Sequence, residues 1–238
     1  MDVQGVIRAR KLVSDQGHPS SAPQWSCAEL AGRVCELCGE ARVAQGDSGS
    51  TAQLSAAVRL LAEAHAAGDP AAWICCGSQL FFPPDLETNG VDLQALSIVR
   101  VDDSLSAVSA AEQLLRSGCF AVIVVDLTGL SIRKPITDAL IGRLAGPART
   151  HHTVVLFLNS AAPLNSAATD ASVPAAAGKA AAGSPGVSLG SMISLRAHAC
   201  SRALSGGRFL LQVDVIKDKR RGVGWRWTEA WYGPPGLS

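Results

Sequence analysis

Short runs of consecutive apolar residues alternate along this chain with longer segments in which apolar residues recur every three or four positions. The runs predict strands buried on both faces, and the spaced segments predict amphipathic helices. Strands are predicted at Val34–Leu37, Ala71–Cys76, Leu96–Val99, Ala121–Asp126 and Thr153–Leu158. Helices are predicted at Ala52–Ala67, at Ser104–Ser117 with Gly118 as its stop, and at Ile136–Ala145. This alternation predicts an α/β fold, a mostly parallel sheet flanked by helices.

The two ends of the chain follow different patterns. Residues 1–30 predict a short helix, Val6–Val13, and a Gly/Pro/Ser linker, and residues 31–238 predict one core domain. Within that domain, residues 159–190 contain mainly Ala, Ser, Gly and Pro, which predicts a mobile loop because so few large apolar residues are present. A strand or a helix is expected over 191–203. Two later strands, Arg208–Ile216 and Trp225–Tyr232, are expected to form an antiparallel edge.

Composition excludes few classes of function. The formal charge is +1, so the overall charge gives no reason to expect a nucleic-acid partner. No apolar run reaches the roughly 18 residues that a membrane span needs, and we expect a cytoplasmic protein without a membrane partner. Seven cysteines, an odd number, favour free thiols. Cys35 and Cys38 form a CxxC, but residues three apart on a strand face opposite ways, and no His stands at ligand spacing, so no metal site is predicted.

A degenerate phosphate-binding loop is predicted between the first strand and the first core helix. The segment there is GEARVAQGDSGSTAQ, in which Gly49, Ser50 and Thr51 occupy the positions of a GK[ST] motif. Ser50 replaces the lysine that binds the β- and γ-phosphates in this motif. The earlier glycine is replaced by Ala44, with Gly46 standing closer in. We therefore expect no tight triphosphate binding, while weak binding of ATP with magnesium at a helix N-terminus stays open.

Asp126 ends an apolar strand, VIVVD, where an ATPase holds magnesium with a carboxylate. The same residue could equally cap the turn that follows, and the sequence leaves both roles open. A hydrolase also needs a general base after its second strand. Cys75, Cys76, Gly77 and Ser78 stand there instead, so we expect no catalytic residue.

Basic and aromatic residues are interleaved near the C-terminus. The cations are Lys217, Lys219, Arg220, Arg221 and Arg226, against the single acid Asp218. The rings are those of Trp225, Trp227, Trp231 and Tyr232. Such a mixture suits single-stranded DNA, whose phosphates are neutralised while its bases stack. A protein-binding surface, or a solvated edge strand whose rings pack inward, would also explain it.

Several segments, in this order, resemble the core of RecA-type recombinases. They are RVCELCGE, GVDLQALSIVRV, RSGCFAVIVVDL, LFLN with the Ala/Ser-rich stretch after it, and LQVDVIKDKRRGVGWRWTEAWYG. Together they cover residues 34–233 in pieces. The resemblance implies a RecA-like fold in which Lys217 and Lys219 reach the nucleotide of a neighbouring subunit. The stretch FFPPDLETNGVDLQAL is similar to one in the ImuA-type proteins, short degenerate RecA relatives of bacterial mutagenesis cassettes.

That resemblance implies a non-catalytic accessory factor in DNA repair and SOS-induced translesion mutagenesis. Its implied partners are the recombinase RecA, a Y-family polymerase homologue, an error-prone replicative-type polymerase and single-stranded DNA. No cofactor is expected. Two alternatives remain open at this point: a nucleotide-dependent DNA-binding ATPase with an atypical phosphate loop, and an inhibitor that caps recombinase filaments.

Overall fold

A computed structural model describes residues 22–39, 52–77, 84–130, 135–159, 189–205, 208–222 and 224–232. Within them lies one sheet of eight strands. The strands are β1 (Val34–Cys38), β2 (Ala71–Cys76), β3 (Leu96–Val101), β4 (Val122–Asp126), β5 (Val154–Asn159), β6 (Leu195–Ala203), β7 (Arg208–Asp218) and β8 (Arg226–Tyr232).

The strand order across the sheet is β3-β2-β4-β5-β1-β6-β7-β8. The first six strands in the chain pair in parallel. β7 runs antiparallel to both β6 and β8. The expected α/β architecture is therefore confirmed, with a mostly parallel sheet and an antiparallel edge formed by the C-terminal strands.

Helices cover both faces of the sheet. They are α1 (Cys27–Leu30), α2 (Ala52–Ala66), α3 (Pro84–Glu87), α4 (Ser104–Ser117) and α5 (Asp138–His151). On one face α2 packs with one set of alternate strand residues, from Trp73 on β2 to Trp227 on β8. On the other face α4 and α5 pack on the alternate set, which includes Ile123 and Phe157. None of the described helices is long and apolar enough to cross a membrane.

Local signals place α4 where the pattern predicts it. The Asp103 carboxylate accepts hydrogen bonds from the first-turn amides of Leu105 and Ser106. Gly118 ends the helix in the left-handed region, with φ of 67°. A Cβ atom there would fall 2.8 Å from Nδ1 of His151, so glycine is required both for the backbone conformation and for this close approach.

Two predicted elements need correction or completion. The helix predicted at Ile136–Ala145 begins later, because Thr137 caps it, and extends to His151 through Pro147. Ala148, in the last turn of this helix, is fully buried. The segment after the Ala/Ser-rich stretch is the strand β6, which settles the choice between strand and helix. The predicted helix Val6–Val13 and residues 160–188 lie outside the described residues.

Candidate functional site

The carboxyl ends of the parallel strands form the first candidate region. The chain leaves β1 toward α2 on one face, whereas β4 is followed by α5 on the other. Ligands of open α/β sheets bind beyond the carboxyl ends of the strands. Asp126 ends β4 and Asn159 ends β5, so both residues lie at this edge of the sheet.

Asp126 caps its own turn. It is 4% exposed, and its Oδ1 accepts hydrogen bonds from the backbone N–H of Thr128 at 3.0 Å and from the Thr128 hydroxyl at 2.5 Å. This geometry matches the turn-capping role that the sequence left open. A carboxylate has further acceptor sites besides the oxygen that makes these two bonds.

Cys75 is the residue directly beside Asp126 on the neighbouring strand β2. Burial raises the pKa of the Cys75 thiol, and the Asp126 carboxylate raises it further, to about 11. At neutral pH the thiol therefore keeps its proton. A protonated thiol cannot accept a proton from an attacking water, so Cys75 cannot serve as a general base at this edge.

The predicted phosphate-loop residues Gly46, Gly49, Ser50 and Thr51 lie outside the described residues. The structure describes Gly39 before that segment and Gln53 after it. A Cβ on Gly39 would fall 1.1 Å from Oε1 of Gln53, so the Gln53 amide lies directly against the Gly39 backbone. Gln53 is 6% exposed, and its Oε1 has no hydrogen-bond partner within the described part of the chain.

A buried polar cluster around Glu36 was not predicted from the sequence. Glu36 lies in the middle of β1 with a side chain that is fully buried. Its carboxylate accepts hydrogen bonds from Arg196 Nε at 2.6 Å, from the Asn159 amide at 2.9 Å and from the Leu189 backbone N–H at 3.3 Å. The only sequence signal for this cluster is a single acid within an otherwise apolar strand, RVCELC.

Lys217 and Lys219 lie on another part of the sheet. Lys217 is paired with Arg196 near the start of β6, and the Lys219 N–H bonds the Ser194 carbonyl just before that strand. β7 is four strand positions from β4, which is about 19 Å at about 4.8 Å per strand. A lysine side chain is too short to bridge that distance. The structure thus does not bring these lysines together with Asp126 of the same chain.

The Lys217 amine donates to the Ser191 carbonyl at 2.8 Å, and the Lys219 amine donates to the Met192 carbonyl at 3.4 Å. Burial lowers the pKa of Lys217, and the charges of Lys219 and Arg196 lower it further. Asp138, at the start of α5, opposes that shift. The ammonium groups of Lys217 and Lys219 and the guanidinium of Arg196 are therefore held close together on the α5 side of the sheet.

Asp218, between the two lysines, is buried in an ion pair with Arg33. Arg33 Nη2 lies 2.6 Å from Asp218 Oδ1, and the two side chains are 1% and 0% exposed. Asp218 also accepts hydrogen bonds from the backbone N–H of Arg220 at 2.7 Å and from the indole of Trp225 at 3.0 Å. Burial opposes ionisation of Asp218, but these donors outweigh it and lower its pKa to about 2.

The other predicted basic residues are engaged with neighbouring parts of the molecule. Arg221 makes a bidentate contact with Glu29 in α1, at 2.8 and 2.9 Å. Arg220 donates to the carbonyls of Glu29 and Ala31. Arg226 is paired with Asp214 on β7, although its side chain remains 63% exposed. Each of these three arginines therefore contacts an acid or a backbone carbonyl of a neighbouring segment.

The tryptophans of the tail face the core. Trp227 is 7% exposed, lies under the Arg59 guanidinium and belongs to the cluster that packs on α2. Trp225 and Trp231 are partly buried against the same cluster. Alternate residues of β8 therefore point inward, as expected for an edge strand with solvated charges. These three rings are therefore not exposed together on a surface where bases would stack.

No group of His, Cys, Asp or Glu that could hold a metal ion occurs among the described residues. No protein-family model matches the chain, and no curated protein matches its sequence.

Proposed function

We propose that this chain is a RecA-like accessory factor in DNA repair and SOS-induced translesion mutagenesis that acts by binding rather than by catalysis. Its ligands would be single-stranded DNA, the recombinase RecA, and the error-prone polymerase with its Y-family homologue. The proposal combines the resemblance of five sequence segments with the α/β sheet that contains the described strands of those segments.

The observation that supports a non-catalytic role best is the pairing of Cys75 with Asp126. Where a hydrolase needs a base, this chain has a thiol that retains its proton. Ser50 replaces the phosphate-binding lysine in the sequence, which independently favours the loss of hydrolysis.

The test is fluorescence anisotropy of a labelled single-stranded oligonucleotide, at two salt concentrations, with and without Mg-ATP. We expect binding that weakens with salt and does not respond to ATP, because phosphate contacts release counterions. Binding that requires ATP, and that Asp126→Asn abolishes while the variant stays folded, would establish the ATPase alternative instead. Absence of DNA binding would restrict the function to protein partners, to be tested with the purified recombinase and polymerases.

A capping inhibitor of recombinase filaments is the second candidate. The separation of Lys217 from Asp126 favours this inhibitor. A lysine that does not reach the carboxyl end of β4 in its own chain is available to contact the same end of β4 in a neighbouring subunit. An inhibitor would slow RecA strand exchange at substoichiometric amounts. A polymerase accessory factor would leave strand exchange unchanged.

A further inference from the structure

His65, near the end of α2, accepts a hydrogen bond from a distant part of the chain. The backbone N–H of Asp92 donates to Nδ1 of His65 at 2.9 Å. Asp92 begins a turn that is closed by two bonds: the Ala95 N–H donates to the Asp92 carbonyl at 3.1 Å, and the Gln94 N–H donates to the Asp92 carboxylate at 2.8 Å. A ring nitrogen accepts only while it carries no proton. The contact therefore requires the neutral imidazole, with its proton on Nε2.

This turn positions the start of β3. The carbonyl of Ala95 accepts the N–H of Ala71, the first residue of β2, at 3.1 Å. Leu96, the next residue along the chain, begins β3 and pairs with Ala71. The imidazole on α2 is therefore tied, through the turn, to the point where β3 joins the sheet.

β3 is a strand with little buried surface. It lies at one end of the described sheet, where it pairs with β2. Ser97, Ile98 and Arg100 on β3 are exposed, whereas every residue of β2 is buried. Strands of this kind open locally at a lower cost in free energy than central strands do. A contact that holds the turn before β3 therefore bears on whether the strand stays paired.

The surroundings of His65 favour its neutral form. Burial lowers the pKa of the imidazole, and the Asp92 carboxylate and the Ala95 carbonyl oppose that shift. Asp92 is exposed, so solvent weakens its attraction for a charged ring. The nearest acids along the chain are Glu63, which forms an ion pair within its own helix, and Asp69, just after α2. Protonation of His65 is thus less favourable in the folded chain than in the unfolded one.

Protonation of His65 would break the contact with Asp92. It places a hydrogen on Nδ1, which then faces the N–H of Asp92, so two donors oppose each other. Both nitrogens of an imidazolium are donors, and no rotation of the ring restores the bond.

We propose that His65 is a pH-sensitive link between α2 and the strand β3, in which the neutral ring holds the turn at residues 92–95 and the protonated ring releases it. Release loosens the pairing of β3 with β2. The contribution of the link to stability is fully present above 6.5, the ordinary pKa of histidine, which applies to the unfolded chain. It is lost as pH falls from there through the lowered pKa of the folded chain.

The experiment follows amide hydrogen exchange of the full chain by mass spectrometry at pH 7.5 and pH 5.5, with the rates corrected for the intrinsic effect of pH. Peptides that cover residues 91–101 should exchange faster at pH 5.5, by at most about tenfold. That limit follows because pH 5.5 is one unit below 6.5, and an opened turn binds a proton that the closed turn disfavours. Peptides that cover β4 should show no change.

Two substitutions separate protonation from loss of the contact. His65→Asn keeps an acceptor, because the amide oxygen can take the place of Nδ1, and it cannot be protonated in this range. It should give slow exchange of residues 91–101 at both pH values. His65→Leu has no acceptor and should give fast exchange at both. The control is His152→Asn, at a left-handed position with φ of 55° that asparagine adopts readily, and it should keep the pH response.

Equal corrected rates at the two pH values in the wild type would overturn the link. A pH response that persists in folded His65→Asn would also overturn it, because another group would then be responsible. Titration of the His65 Cε1–H signal by nuclear magnetic resonance gives a second readout that does not depend on exchange. It should give a pKa below 6.5, and a value at or above 6.5 would refute the proposal.

Discussion

The side-chain amide of Asn159, the last residue of β5, donates a 2.9 Å hydrogen bond to the buried carboxylate of Glu36 in the middle of β1. The two residues are 123 positions apart in the chain and neighbours in the sheet. The Leu189 N–H binds the same carboxylate oxygen. One acid thus receives donors from both residues that border the range 160–188.

Replacing Glu36 should therefore destabilise the fold strongly. Glu36→Ala removes the carboxylate to which Arg196, whose side chain is 15% exposed, and the Asn159 amide donate. Breaking a buried ion pair costs about 3–5 kcal/mol. The measurement is the free energy of unfolding from urea titration. The exposed Asp102 provides a control as Asp102→Asn, which should change it by less than about 0.5 kcal/mol. A loss for Glu36→Ala as small as that of the control would contradict the role assigned to this cluster.

Asp218 should make stability depend on pH in acid. Its pKa is lowered from 3.8 to about 2, so the ionised form is favoured in the folded state. The stabilisation is fully present above the unfolded-state pKa near 3.8 and is lost as pH falls toward 2. This stabilisation amounts to about 2–3 kcal/mol, at about 1.4 kcal/mol for each unit by which the pKa is lowered. Unfolding followed from pH 5 down to about 2 should show a shallower decline for Asp218→Asn than for the wild type. Parallel curves would refute the prediction.

Gln53 offers a stabilising substitution. Its buried Oε1 has no hydrogen-bond partner among the described residues, and an unsatisfied buried acceptor costs about 1–3 kcal/mol. Gln53→Leu should raise the free energy of unfolding by about 1 kcal/mol, because leucine has a similar size and no polar atom. The matched control is Gln113→Leu at an exposed position of α4, which should be nearly neutral. Destabilisation by Gln53→Leu would indicate that this amide binds a group outside the described residues.

The thiols should differ sharply in reactivity. Burial is the main cause that raises the pKa of Cys27 and Cys35 to about 12 and of Cys75 to about 11, whereas Cys119 is exposed. Because the thiolate is the reactive form, iodoacetamide at pH 8 should label Cys119 first. The other three should be labelled only after unfolding in urea. Peptide mass spectrometry over time checks this, and rapid labelling of folded Cys75 would mean that it is not held protonated beside Asp126.

Local sequence signals were sufficient for most of the secondary structure. Both ends of α4 are determined by capping residues next to it in the sequence, Asp103 at the start and Gly118 at the end. The strands β2, β4 and β5 are recognisable in the sequence because they have apolar residues on both faces. A sheet covered by helices on both sides requires this pattern. The predicted phosphate-binding loop, in which Ser50 stands at the lysine position of a GK[ST] motif, lies outside the described residues and stays a prediction.

The tertiary structure decided which polar residues meet. Arg33 and Asp218 are 185 positions apart, and their pairing follows from the place of β1, β6 and β7 in the sheet. The face of the sheet to which Lys217 points depends on one extra residue in β7. This residue moves the side chains that follow it to the opposite face, and the apolar pattern of the strand gives little sign of the change. Such contacts are non-local, and their geometry is set by strand order, register and bulges. Residue spacing along the chain contains no record of these, so only the folded sheet could reveal them.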